Sequence, residues 1–217
     1  MSRLILKMSM SLDGFVGGPD GEVDWLIRTL DADAAEWINQ TLSTAAAHLV
    51  GRRTYADMVG YWPTSTEPLA EAMNTIPKIV FSRTGALDGE PTTALRNATD
   101  AQQKAGLPTT SAHPGWQNTR VLAGNLESEI HQLKATTASD LVAHGGASFA
   151  QSLVHHRLID EYRLLVHPVV LGAGLRLFTG PAFDLTLVDA KTFPSGIWGA
   201  TYHPAANAGS TRPTRGS

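Results

Sequence analysis

Three times in this 217-residue chain a short apolar run ends in glycine or small hydroxyl residues and passes straight into a helix or a turn. His48-Leu49-Val50 runs into Gly51-Arg52-Arg53-Thr54, Pro77 to Phe81 into Ser82-Arg83-Thr84, and Leu141 to Ala143 into His144-Gly145-Gly146-Ala147-Ser148. Parallel strands cannot be joined by a tight turn. They need a crossover, usually a helix, so the recurrence predicts an α/β domain with a largely parallel sheet covered on both faces.

The rest of the chain fits this frame. Arg3 to Met10 reads as a first strand, followed by a loop carrying Asp13-Gly14 and Gly17-Gly18-Pro19. Ala34, Trp37, Ile38, Leu42 and Ala45 recur at helical spacing between about Asp31 and Ala47, with Asp31 or Asp33 as N-cap, and Tyr55 to Val59 opens another helix. Gly85 to Gln117 reads as loops with one short helix, Arg120 to Leu122 as a weak strand, and Asn125 to Ala135 as a helix turning Leu126, Ile130 and Leu133 inward. A helix through Phe149, Leu153 and Val154 follows Gly146. Long strands at Glu161 to Val170 and around Leu185 to Ala190 close the core, with a Leu171-Gly172-Ala173-Gly174 turn between them. The expectation is one domain over residues 1–202, with antiparallel pairing near its end, and a mobile tail over 203–217 that is poor in large apolar residues.

Composition narrows the chemistry. With 42% hydrophobic and 17% charged residues the chain can build a packed core. No cysteine is present, which excludes a thiol nucleophile and thiolate metal sites. A formal charge of -3 gives no global attraction to nucleic acid or anionic lipid. No run approaches the roughly 20 apolar residues of a membrane span, and the opening stretch, broken by Lys7 and Asp13, is no signal peptide, so a cytoplasmic protein is expected. His131, His144, His155, His156 and His167 form no H-E-x-x-H pattern, and no metal is expected. Ser148 lies in G-A-S-F-A rather than G-x-S-x-G, which gives a serine hydrolase no support.

The three strand ends are anion-binding geometry, because a helix N-terminus presents unpaired N–H groups and glycine lets a phosphate approach the backbone. In an open α/β sheet they fall along one crevice, which suggests a dinucleotide. Neither G-x-G-x-x-G nor G-x-x-x-x-G-K-[ST] occurs in the required context. Arg52, Arg53 and Arg83 beside small hydroxyl residues suit an additional phosphate.

In order, SMSLDGFVGG, LVGRRTY, IPKIVFSRT, LVAHGGASFAQSLV and LIDEYRLLVHPVVLGAG resemble the dihydrofolate reductase-like superfamily, in particular the reductase domain of bacterial riboflavin biosynthesis and its stand-alone relatives. The resemblance covers about Arg3 to Ala190. It implies an NADPH-dependent reductase with a three-layer α/β/α fold, a mainly parallel central sheet and a homodimeric assembly through the region Tyr162 to Phe178. It further implies that Gly51, Arg52, Arg53 and Thr54 hold the pyrophosphate and adenosine phosphate. Ser82, Arg83 and Thr84 would complete the 2'-phosphate site, and Gly145, Gly146, Ala147 and Ser148 would lie under the pyrophosphate and ribose. Ser9 and Val16 would border the nicotinamide.

The substrate implied is a small heterocycle, a dihydropterin or a ribosylamino-pyrimidinone. Folate reductases carry an acid on the first long helix, and counting back from Gly51 puts that position at Ala35, with Glu36 or Asp33 as neighbouring substitutes. Asp13, in S-x-D-G, is the other catalytic candidate. It serves either as an acid with raised pKa that donates a proton or binds a sugar hydroxyl, or as the former of an Asx-turn before Gly14. Trp25, Trp37, Tyr55, Tyr61 and Trp62 offer an aromatic wall. A cysteine-free chain cannot contain the zinc deaminase half of the riboflavin enzyme, which leaves a lone reductase or, in another class, a non-catalytic NADPH-binding sensor or interaction module.

Overall fold

β1, Leu4–Ser11, lies at the middle of an eight-stranded sheet and alternates its side chains between two apolar layers. A computed structural model describes residues 1–85, 87, 100, 103, 104, 106 and 114–205. The later strands are β2 (Phe15–Gly17), β3 (Ala47–Gly51), β4 (Lys78–Phe81), β5 (Arg120–Leu122), β6 (Leu141–His144), β7 (Glu161–His167), β8 (Leu175–Arg176), β9 (Leu185–Thr192) and β10 (Trp198–Pro204). The helices are α1 (Asp24–Thr29), α2 (Ala32–Ser43), α3 (Arg52–Tyr61), α4 (Ala70–Thr75), α5 (Pro114–Gln117), α6 (Leu126–Thr136) and α7 (Ala147–His155).

The sheet order is β5-β4-β3-β6-β1-β7-β10-β9. The first six strands are mutually parallel, and β10 runs antiparallel to both β7 and β9. β2 and β8 form a separate small antiparallel ribbon.

Leu4, Leu6 and Met8 of β1 join Leu49, Leu141 and Ala143 beneath Ile130 and Leu133 of α6 and Leu153 and Val154 of α7. On the other face Ile5, Val50, Val80, Val142 and Leu165 meet Ala34, Ile38 and Leu42 of α2 and Met58 of α3. Short apolar strands buried on both sides are what a parallel sheet between two helical layers demands. Among the described residues no helix is long and apolar enough to cross a membrane.

Several expected boundaries move. α2 stops at Ser43 and Ala47 already belongs to β3, while β7 ends at His167 because Pro168 has no N–H to continue the ladder. α1 and the ribbon strands β2 and β8 are additional elements. The largest correction is β10, which slots between β7 and β9, so that β9 becomes the edge. His203 and Pro204, expected in the tail, pair with Thr186 and Leu185, and the Ala205 amide bonds the Asp184 carbonyl at 3.0 Å. The remainder of the expected tail, and most of the expected loop region from Gly85 onward, lie outside the described residues.

Candidate active site

The carboxyl ends of β4, β3 and β6 lie side by side, since Gly51 is in register with Phe81 and Leu49 with Ala143. The three motifs therefore meet along one crevice. Gly145 and Gly146 have φ of +71° and +75°, a region that disfavours side chains, and a Cβ on them would come within 2.8 Å of Thr54 Cγ2 and 2.7 Å of Thr54 Oγ1. Glycine is thus what lets the turn before α7 press against the first turn of α3. Behind them Phe81 and Phe149 stack at 4.9 Å.

The helix starts differ in kind. Asp31 caps α2 by accepting from the Ala34 amide at 2.7 Å, and Asn125 caps α6 by accepting from the Ser128 amide at 3.1 Å. Both helices also carry acids in the first turn. α3 and α7 begin at Gly51 and Gly146, with no side-chain cap and no acid in the first turn. No N-cap side chain offsets the partial positive charge of these two helix starts, which suits a diphosphate.

Around this cradle Arg53, Arg83, Thr84 and Ser148 are exposed, Arg52, Thr54 and Ala147 are half-buried, and Ser82 is buried with its hydroxyl 3.2 Å from Thr84 Oγ1.

Next to the cradle the sheet face under α2 becomes polar. Lys7, Ser9 and Ser11 follow Ile5 on this side of β1, and register places Lys7 abreast of His144 on β6 and Arg163 on β7. Lys7 is half-buried, donates to Ser9 Oγ at 3.4 Å, and forms no ion pair among the described residues. Burial lowers its pKa to about 8. Burial, with the positive charge of Lys7 next, also lowers His167 to about 4. Burial, followed by His48 and Lys7, holds His144 well below the usual imidazole range. The crevice floor therefore carries the Lys7 ammonium beside neutral imidazoles. Lys7 was not singled out as a site residue in the sequence, although a lysine interrupting an otherwise buried apolar strand was its visible signal.

The two catalytic candidates from the sequence sit in different surroundings. Asp13 does not have a raised pKa. The Ser11 hydroxyl donates to it at 2.6 Å, the Gly172 and Leu171 amides donate at 2.8 and 3.1 Å, and these bonds hold it down at about 2. It ties the loop after β1 to the loop after β7 and stays ionised. Glu36 points to solvent and accepts from Gln40 Nε2 at 3.1 Å, while Ala35 is the buried residue beside it. Helical geometry turns adjacent positions about 100° apart, and the acid falls on the wrong side.

Val16 is buried in the apolar layer under α6 and α7 and can offer only an apolar wall. The five aromatics do not form one wall. Trp37 packs over Gly199, Tyr55 against Trp116 and Tyr61 against Trp62, and Trp25 alone reaches the crevice floor, at His167.

The model of the RibD C-terminal domain matches residues 2–198. The chain belongs to the RibD C-terminal domain family. The chain is 31% identical over 208 residues to the uncharacterised protein YyaP of Bacillus subtilis, covering 93% of this chain and 94% of that one. Among solved structures it superposes on the Thermotoga maritima diaminohydroxyphosphoribosylaminopyrimidine deaminase/5-amino-6-(5-phosphoribosylamino)uracil reductase with a TM-score of 0.62 at 16% identity, over 94% of this chain and 56% of that one. It also superposes on Enterococcus faecalis dihydrofolate reductase, solved with NADP(H), with a TM-score of 0.55 at 14% identity, over 94% and 97% of the two chains.

The fold of the chain is thus dihydrofolate reductase-like. Two apolar hollows, of about 230 Å³ beside His155, Arg157 and Phe183 and about 390 Å³ beside Met10, Leu164 and Trp198, are lined by none of the phosphate motifs. The crevice is distinguished by its two glycine-capped helix starts and by the arginines beside them.

Proposed function

We propose that the protein is an NADPH-dependent reductase of a pyrimidine-like heterocycle. The observation that carries the reading is the pair of uncapped, acid-free helix starts joined at Gly145-Gly146, flanked by Arg52, Arg53 and Arg83. Gly51 to Thr54 and Gly145 to Ser148 would hold the diphosphate through backbone N–H groups. Ser82, Arg83 and Thr84 with the α3 arginines would take the 2'-phosphate, and Ser9 and Val16 would border the nicotinamide. When bound, NADPH supplies the hydride.

Reduction of a C=N bond puts that hydride on carbon and requires one proton on nitrogen. Lys7 is the proton source in this reading. It stands on the crevice floor, and near neutral pH an ammonium of pKa about 8 is both charged and able to give up its proton. The buried Ala35 at the position of the folate acid, together with the uracil reductase among the structural neighbours, favours the pyrimidine branch over a pterin.

The test is NADPH and NADH binding by fluorescence, followed by turnover with an imine-bearing pyrimidine. NADPH bound at least tenfold tighter than NADH, and a Lys7→Met variant that binds NADPH normally yet turns over about a hundredfold slower, are the expected outcomes. Activity should fall as pH rises through about 8. Equal binding of the two cofactors refutes the 2'-phosphate site. Binding without turnover on any heterocycle identifies a sensor.

Homodimer formation is supported by the apolar side chains left exposed on and beside the β7-β10-β9 edge, Leu12, Val170 and Leu187. A monomer mass in solution refutes it.

A further inference from the structure

Two imidazoles meet edge-on beneath the α2 layer: His48 of β3 and His144 of β6, 4.6 Å apart at 87°, with 0% and 8% of their surface exposed. Each has a buried nitrogen without a partner among the described residues, His48 Nδ1 and His144 Nε2. Buried polar atoms are rarely left unpaired, and two in one contact call for an explanation. Among the described residues no third His, Asp or Glu joins them in a metal-binding group.

The protonation of the pair follows from Leu42. Its carbonyl lies 3.1 Å from His48 Nε2, and a carbonyl can only accept, so Nε2 carries the proton. Burial, followed by the charge of Lys78, pushes the His48 imidazole down to about 3, so the ring is neutral and Nδ1 is a bare lone pair. His144 is neutral as well and has one proton to place. On Nδ1 that proton would leave two bare lone pairs in the same buried contact. On Nε2 it sets an N–H against the lone pair of His48. The contact therefore favours the Nε2–H tautomer, which leaves His144 Nδ1 as an acceptor.

Lys7 is the neighbour with protons to offer. It is abreast of His144 on the same face of the sheet, and its three N–H donors have only the Ser9 hydroxyl, at 3.4 Å, among the described residues. The other titratable groups on this face are engaged elsewhere. Arg163 and Glu161 of β7 bond each other, His167 Nδ1 lies 2.7 Å from the Thr29 hydroxyl, Lys78 of β4 donates to the Ile76 carbonyl, and Tyr55 of α3 meets Thr119. The buried residues of α1 and α2 include no titratable group. We propose that His144, held in its Nε2–H tautomer by His48, presents Nδ1 to the Lys7 ammonium and so positions the proton that Lys7 delivers. His144 and His48 are positioning residues, acting on the substrate only through Lys7. The tautomer and the contact stand on the geometry of the chain, while their use in catalysis rests on the reductase reading.

Two measurements on the full chain test this without turnover. Long-range ¹H–¹⁵N spectra of the histidines, with His144 assigned through His144→Asn, are expected to show His144 protonated on Nε2. Titration of ¹³C-labelled lysine, with Lys7 assigned among the five lysines through Lys7→Met, should place Lys7 at about 8. An ammonium that loses an acceptor gives up its proton more readily, so His144→Phe should lower the Lys7 pKa by about one unit. His144→Asn, whose amide oxygen can stand where Nδ1 was, should restore it. His48→Phe, which keeps a ring at the contact but removes the lone pair, should move Lys7 the same way by less. The alkaline limb of turnover should follow the same order, with NADPH affinity unchanged. A proton on His144 Nδ1, a Lys7 pKa that ignores His144→Phe, or a His144→Asn variant that behaves like His144→Phe overturns the proposal. If either Phe variant fails to fold, the wild-type tautomer still decides. A Lys7 titration that responds to His144, without turnover on any heterocycle, sinks the reductase reading alone. Turnover whose pH limb ignores His144 sinks this inference alone.

Discussion

The four longest helices begin in two opposite ways. α2 and α6, which lie over the sheet as packing elements, satisfy their first turns with Asp31 and Asn125 and add acids of their own. α3 and α7, which start at the crevice, do neither, and their N-caps are glycines. All four bury an apolar face, so packing does not explain the contrast. A helix start capped by glycine in place of Asp or Asn gives up about a few tenths of a kcal/mol of stability, and the place where that is given up twice, at two helices in contact, is where a ligand can return it.

The contrast can be broken in stages. The largest effect belongs to the arginines. Replacing Arg52, Arg53 and Arg83 together by Ala should weaken NADPH roughly a thousandfold, at about 1.5 kcal/mol per charge-assisted contact, and leave NADH within threefold; fluorescence titration of both cofactors measures it. Giving α7 what α2 already has is the more pointed experiment. Ser148→Asp puts an acid in the first turn, and it should raise thermal stability by about 0.5 kcal/mol while weakening NADPH about tenfold; a variant that gains stability without losing affinity would break the comparison. Conversely Asp31→Ala should cost about 1 kcal/mol in chemical denaturation and leave cofactor affinity alone, because the cap of α2 serves only folding. The smallest effect concerns Asp13. Its folded pKa is depressed from 3.8 to about 2, so the stabilisation it provides is complete above pH 4 and lost as pH falls through 2. Asp13→Asn should therefore melt below the wild type at pH 7, with the gap closing toward pH 2.

Most of the central sheet was legible because each strand carries its own signal. Leu4 to Met10, His48 to Val50 and Leu141 to Ala143 are apolar runs bounded by turn residues, and the helices between them have clear 3.6-residue periods. β10 was not legible. Trp198-Gly199-Ala200-Thr201-Tyr202 mixes small and aromatic residues and gains its identity only from β7 and β9, which flank it in space. β2 and β8 are two or three residues long and exist through each other.

In the site, glycines and arginines announced the phosphate cradle, since backbone chemistry is written in residue type. The floor was less readable. Lys7, His144 and His167 are placed beside one another by register between β1, β6 and β7, and Asp13 looked like an acid until its bonds to Leu171 and Gly172 were visible. Function that depends on which strands become neighbours cannot be read one strand at a time.

The central place of β1 has a consequence for how the chain is made. Residues 4–11 pair only with β6 and β7, more than 130 positions later. At roughly 5–20 residues per second, a ribosome leaves that strand without a partner for several seconds or more. During that interval LILKMSMS is an unpaired, mostly apolar segment open to aggregation or to a chaperone. The charge of Lys7 in its middle then acts as a solubilising interruption before it has any role in a crevice.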